Sequence, residues 1–344
     1  MKFLAVVERA ESAMTTLLFR VYALSVSLAI PILAGCGENG RPLPAASMPL
    51  AAARSSPASS GAKVGVYVDA LTGASNSAIF GYHVNRRRKP PICRIERLRY
   101  ADNVAVDGVG NLIVTNGHRG SVSVYKGPDM CGPELGSLRD TVGRPSDAAS
   151  NNAATGTIAI GNALDVSGPG SILVCTLPKG CSANLLNPKM SVVGGVALAN
   201  NGDCWASAID ASSGAATLIY FKHCSGSGRA ATGYKNKGDG GLDIDAQGNL
   251  VAISSSGSQT SVYVYKGCNR RCSLVGGPFA LPYQAMRGHL NKDSSELAMA
   301  NVLAPQVDVY SYSPTNISYK FSFKINGISA VGVEGVAYNP RSKQ

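Results

Sequence analysis

Charge is scarce in this chain. Only 15% of its 344 residues are Asp, Glu, Lys or Arg, aromatic residues make up 6%, and there is one Trp. Four His are present, His83, His118, His223 and His289, which leaves little material for imidazole-based metal or acid–base centres. No G-x-S-x-G elbow, H-E-x-x-H pair or Walker loop occurs, so serine-hydrolase, zincin and P-loop chemistry have no motif to rest on. The apolar and small-residue run Val21–Gly35 falls short of the roughly 20 residues of a membrane-crossing helix. What the chain has instead is glycine, 39 residues of it, with many Val and Tyr and a hydrophobic share of 45%. Few charges, many turn formers and β-branched residues are the composition of an all-β protein with many short strands.

The run Val21–Gly35 follows Lys2, Arg9 and Arg20 and ends Leu33-Ala34-Gly35-Cys36. Its length and flanks suit a signal-peptide core, with Met14 as an alternative start. Small residues directly before a Cys resemble the bacterial lipoprotein processing box. The resemblance implies removal of residues 1–35, acylation of Cys36, and attachment to a membrane on the periplasmic or outer cell surface. Residues 36–62, rich in Ala, Ser and Pro without hydrophobic period, read as a flexible tether. Residues 63–344 form the folded body.

Nine Cys are present; with Cys36 set aside, eight remain, an even number suited to an oxidising compartment. Cys175 and Cys181, and Cys268 and Cys272, are close enough to staple hairpins. Cys204 and Cys224 lie on consecutive strand segments, which leaves Cys93 with Cys131. The Cys268/Cys272 spacing is not that of a thioredoxin-like redox motif.

Residues 102–126, DNVAVDGVGNLIVTNGHRGSVSVYK, read as three short strands separated by Gly-rich turns. The pattern returns. First strands and their turns align at Asn103–Asn111, Ser146–Ala154, Gly195–Asp203, Gly241–Asn249, Gly288–Glu296 and Gly335–Gln344. Second strands follow at Leu112, Thr157, Cys204, Leu250 and Leu297, third strands end in an aromatic or Cys, and a weakly patterned fourth precedes each new unit. Four strands per repeat of about 40–50 residues is the signature of a β-propeller blade. The C-terminal segment supplies a first strand with no successor, and Val64–Val68 and Ala78–Val84 are successors with no first strand. Joined, they make one blade. The expectation is an all-β, six-bladed β-propeller closed by its two ends.

Units of Asp-x-x-Gly-Asn-Leu after an apolar strand resemble NHL-type repeats and the wider group of gluconolactonase-like enzymes and streptogramin lyases. That resemblance implies a site at one channel mouth, where first strands begin. Asp102, Asn103, Asp147, Asp239, Arg287, His289 and Glu334 occupy those positions. In gluconolactonase-like proteins a Glu, an Asn and an Asp hold a divalent cation, which implies Glu334, Asn103 and Asp239 here, with calcium or magnesium as the suited ion. The lyases imply a His beside the metal, a role open to His289 near Glu334.

The third-to-fourth-strand turns carry a different signal. Arg86, Arg87, Arg88 and Lys89, then Lys126, Lys179, Lys222, Lys266, Arg270 and Arg271 fall at equivalent places in successive units, with Arg94, Arg97 and Arg99 extending the first cluster. Such a rim favours anionic partners. Asp107, Asp203, Asp245 and Asp293 on the neighbouring turns dilute it toward the axis. The Arg86–Lys89 run lacks stacking aromatics, which argues against specific nucleic-acid recognition. Two functions stay open at this point. One is a lipid-anchored, non-catalytic binding module for an anionic envelope ligand or a protein partner. The other is a metal-dependent hydrolase or lyase.

Overall fold

The computed structural model describes residues 55–56, 64–73, 76–83, 90–98, 101–127, 131–151, 156–165, 169–176, 179–238, 240–256, 259–325 and 332–339. Cys36, most of the expected tether, Arg86 to Lys89, Arg99 and Asp239 lie outside them. All described residues belong to one compact unit, Ala53–Gln344.

Antiparallel hairpins build six sheets in succession. Blade one has the order Gly332–Tyr338, Val64–Gly73, Asn76–His83, Cys93–Leu98 from the axis outward, with Ser55–Ser56 on its outer edge. Blades two to six run in chain order, beginning with Ala101–Val106, Gly143–Ser150, Val192–Leu198, Leu242–Ile244 and Gly288–Leu290 as innermost strands. The protein is a six-bladed β-propeller. Its ring closes where Val68 pairs with Val336 and Asp69 with Gly335, joining the two half-units read from the sequence. Closure gives Val64–Gly73 a partner on its axis side and completes blade one. Ser55–Ser56 departs from the expected tether: it pairs with Ile95 and Arg94, adding a short fifth strand to an edge that would otherwise face solvent.

Period-two alternation explains how the blades stack. In blade one, Val66, Val68, Phe80 and Tyr82 face blade six and pack with Ala298, Val309 and Phe323. The alternate residues Tyr67, Ile79 and Ile95 face blade two and pack with Val104, Leu112 and Val114. Each remaining blade–blade interface carries its own apolar cluster in the same way. The outermost strands have an exposed face, so Glu134–Arg139 is exposed at five of its six residues. That removes the hydrophobic pattern by which a sequence announces a strand.

The repeated Asp-x-x-Gly-Asn phrase builds the first-to-second-strand turn. Buried Asp107 accepts the backbone N–H of Val109 at 3.0 Å and of Asn111 at 2.8 Å, and the Asn111 amide donates to its other oxygen at 2.8 Å. Asp245 repeats the set with Gln247 and Asn249. Gly110 and Gly248 sit at φ +93° and +80°, where a Cβ is disfavoured, so Gly is required there.

Disulfides join Cys93 to Cys131, Cys175 to Cys181, Cys204 to Cys224 and Cys268 to Cys272. Four such bonds belong to an extracytoplasmic, oxidising compartment.

Candidate functional site

The innermost strands run alongside one another and surround a central channel, and one side chain divides it. Arg287, on blade six, reaches across the axis: Nη2 donates to the Ser146 carbonyl on the opposite blade at 3.3 Å, and Nη1 donates to Met286 O at 3.2 Å. Its Nε lies 3.8 Å from Oδ1 of Asp147. Blades four and five make room for it with glycine. A Cβ on Gly241 would stand 3.3 Å from Arg287 Cδ, and one on Gly195 would meet the Gly240 carbonyl at 2.4 Å. Gly241 thus leaves space for the Arg287 side chain, and Gly195 lets the backbones of blades four and five approach closely.

At the end where first strands begin lies a cavity of about 180 Å³ lined by Asp102, Glu334, Arg287, Val193, Met286 and Val302 among others. Four carboxylates gather around it. Asp147 is buried, accepts the Val196 N–H at 2.7 Å and the Asn103 amide, and faces Arg287. Asp102 accepts the Gly117 N–H at 2.7 Å and lies 3.7 Å from the Arg144 guanidinium. Glu334 has no such ally; its Oε2 is buried without a hydrogen-bond partner. Behind it, Asp69 is wholly buried on blade one, and neither of its oxygens has a partner. Desolvation pushes all four carboxyls up. For Asp69 the nearby charges of Glu334 and Asp102 add to the rise. Arg287 opposes it at Asp147, and Arg144 at Asp102. Glu334, desolvated and beside Asp102, is pushed up to about 7.

Two of the three residues expected to hold a metal lie near this cavity. The Asn103 amide nitrogen is turned to Asp147, and its Oδ1, buried without a partner, packs against the Gly335 backbone. Among the described residues no three His, Cys, Asp or Glu side chains converge as metal ligands. The Asn103 oxygen and Glu334 Oε2 are both left without a partner, and Asp239, the third residue of the expected set, lies outside the described residues.

A wider cup of about 290 Å³ opens at the other end, on the face of the first-to-second-strand turns. All six blades contribute to it, from Val106 and Ala148 round to Leu242, Leu290 and Tyr338. His289 belongs here and not with Glu334, so the paired base and acid expected at one mouth are separated by Arg287. Distance along the strand is the cause, since residues two apart share a face but stand about 7 Å apart along the channel. His289 Nδ1 stands 2.8 Å from Leu290 O and 3.9 Å from Asp243 Oδ2. Asp243 in turn accepts the Leu290 and Ile244 N–H groups, each at 2.7 Å.

The third-to-fourth-strand turns surround this cup at larger radius. Lys126, Lys179, Lys222, Lys266, Arg270 and Arg271 are all exposed. Two contacts fix this shared face: the His223 N–H donates to Asp203 at 2.8 Å, and the Gly127 N–H donates to Asn111 at 3.4 Å. Arg229 stacks over Tyr220 and donates to Asn269 O at 2.7 Å, bridging blades four and five within the basic sector. Arg94 is paired with Glu96 at 2.8 Å and adds no free charge.

Asp69, Asp243 and Arg144 are site residues that motif reading passes over. Asp69 alone carries a signal: a carboxylate in the otherwise apolar strand sequence Val-Tyr-Val-Asp-Ala-Leu.

Compared by sequence, the chain matches no family model and no curated protein. Its fold is similar to known propellers. A chain from a nidogen/laminin complex superposes with a TM-score of 0.55 at 12% identity, covering 81% of this chain and 100% of that one. The periplasmic gluconolactonase PpgL of Pseudomonas aeruginosa gives 0.52 at 14%, covering 79% and 98%. The WD40 repeats of RRP9 give 0.50 at 10%, covering 84% and 90%. Likeness at such identity is a likeness of fold.

Proposed function

We propose that this propeller is a lipid-anchored protein of the bacterial cell envelope that acts as a non-catalytic binding module. The cup is its ligand seat, and the basic turns around it are its outer contact ring. One observation carries the reading: the cup draws on all six blades, has an Ala, Val and Leu floor, and is closed below by Arg287. A preformed concavity that sets apolar residues beside polar groups such as Asp243, His289, Asn291 and Lys292 suits a ligand site. Exposed cations around it would draw anionic partners and orient them.

A metal-dependent hydrolase or lyase is the weaker alternative. It would need Glu334, Asn103 and Asp239 around one ion, and among the described residues no three His, Cys, Asp or Glu side chains converge as metal ligands. A lyase would also need His289 and Glu334 together, and Arg287 stands between their cavities.

Trp205 offers the test. Its indole N–H donates to Cys268 O at 3.2 Å, and it lines a recess sharing Ile244 and Gly248 with the cup. The full chain in detergent is titrated with dextran sulfate and with uncharged dextran while Trp205 emission is followed. Saturable change with the sulfated polymer alone, lost in Lys222→Glu/Arg270→Glu/Arg271→Glu, supports the basic ring. An equal response to both polymers, or none, overturns it.

A further inference from the structure

The mouth opposite the cup has carboxylates that the protein leaves unanswered. Of the four around the narrow cavity, Asp147 has Arg287 and two hydrogen bonds, and Asp102 has Arg144 and a backbone N–H. Glu334 and Asp69 have no hydrogen-bond donor at their buried oxygens, and Asn103 Oδ1 beside them is likewise unmatched. Asp69 is entirely shielded from water, so solvent cannot supply the missing donors. The cations facing the cluster are Arg144 and Arg287, with His118 also near Asp102. Two guanidiniums face four carboxylates. The walls of the cavity above are apolar, built from Ala163, Val192, Val193, Met286 and Val302.

We propose that this narrow mouth binds a small primary ammonium ligand, its –NH3+ on Glu334 and Asp102 and its alkyl portion against Val193, Met286 and Val302. Three features select that class. A bare metal ion is best held by several convergent ligands, and among the described residues no three His, Cys, Asp or Glu side chains converge in that way. An ammonium carries three donors for acceptors that lack them, and its charge favours the ionised carboxylate of Glu334. The cavity of about 180 Å³ is below the usual range for drug-sized ligands, which points to a molecule of a few heavy atoms. The site is independent of the cup, since Arg287 closes the channel between them.

The test is calorimetric titration of the full chain in detergent with n-propylammonium chloride. Sodium chloride at equal ionic strength, n-propanol, tetramethylammonium and calcium are the controls. The expected result is saturable binding of propylammonium, none of propanol, and tetramethylammonium at least tenfold weaker because it has no N–H. Glu334→Gln relieves buried charge, so it should fold, and it should weaken propylammonium at least tenfold. Val302→Trp, which fills the cavity and leaves every carboxylate in place, should abolish binding. Equal binding of propanol, propylammonium binding untouched by either variant, no binding of propylammonium, or calcium binding lost in Glu334→Gln would each overturn the proposal. None of these outcomes bears on the cup, whose own test uses the opposite face.

Discussion

Replacing Arg287 by Met should be among the most damaging single changes in the described molecule. The Arg287 side chain is 9% exposed and that of Asp147 is 4% exposed. Met keeps much of the volume of Arg but leaves the Asp147 carboxylate buried without its cation. Removing one partner of a buried ion pair costs about 3–5 kcal/mol. Asp147 retains the Val196 N–H and the Asn103 amide, so the lower end, about 3 kcal/mol, is expected. The Ser146 carbonyl also loses its donor. Urea denaturation at pH 7, extrapolated linearly, measures the loss. The deficit has a pH signature. Asp147 already titrates above the ordinary carboxylate range because of desolvation, with Arg287 the main opposing influence. Without Arg287 the folded state holds that proton more tightly, so the deficit should narrow as the pH falls and widen as it rises. Adding Asp147→Asn should recover most of the stability, because Asn103 can turn its unmatched Oδ1 toward the new amide. A deficit below 1 kcal/mol, or a double variant no more stable than Arg287→Met alone, would refute the reasoning.

Glu334 gives a second pH effect of defined sign. Its folded carboxyl is raised from 4.5 to about 7, so its contribution is fully present below about 4.5 and is lost as pH climbs to about 7. Glu334→Gln should flatten the fall in melting temperature across that window. Disulfides should rank by the loop they close: replacing Cys93 and Cys131 by Ser, at a separation of 38, should cost about 4 kcal/mol, against about 2 for Cys268 and Cys272 at a separation of 4, by urea melts. Deleting residues 332–344 removes the closing strand and exposes the Val64–Gly73 edge. That chain should elute as aggregate on size exclusion, with full-length protein monodisperse.

Fold and site were legible to different degrees, for a physical reason. The six units, the half-blades at the two ends and the inner three strands of each sheet follow from alternation and from turns such as Asp107–Asn111. Those signals are local. The outer strands were weak because Glu134–Arg139 and its equivalents have no second sheet to face. The site depends on how far along its strand each side chain sits and which blade it meets across the ring, and no motif encodes that. Arg287 and His289 are two residues apart yet serve opposite ends of the channel. Asn103 was legible as a polar group at a strand start, but its engagement with Asp147 on the next blade is a tertiary fact. Asp69 stood out in sequence as a lone carboxylate in an apolar strand, but its full burial beside Glu334 is again a tertiary fact.

The closure of blade one also decides how the molecule meets a mechanical load. A pull on the chain ahead of Val64 first peels the two residues Ser55–Ser56 from the outer edge. It then reaches a strand flanked on both sides, by Asn76–His83 and by Gly332–Tyr338. Tension along that strand loads two hydrogen-bonded ladders in shear, so many bonds must yield together instead of opening one at a time. Through Gly332–Tyr338 the force passes to the opposite end of the chain and into the neighbouring blades. A propeller fastened in this way can be tugged by its N-terminal side without unravelling from an edge.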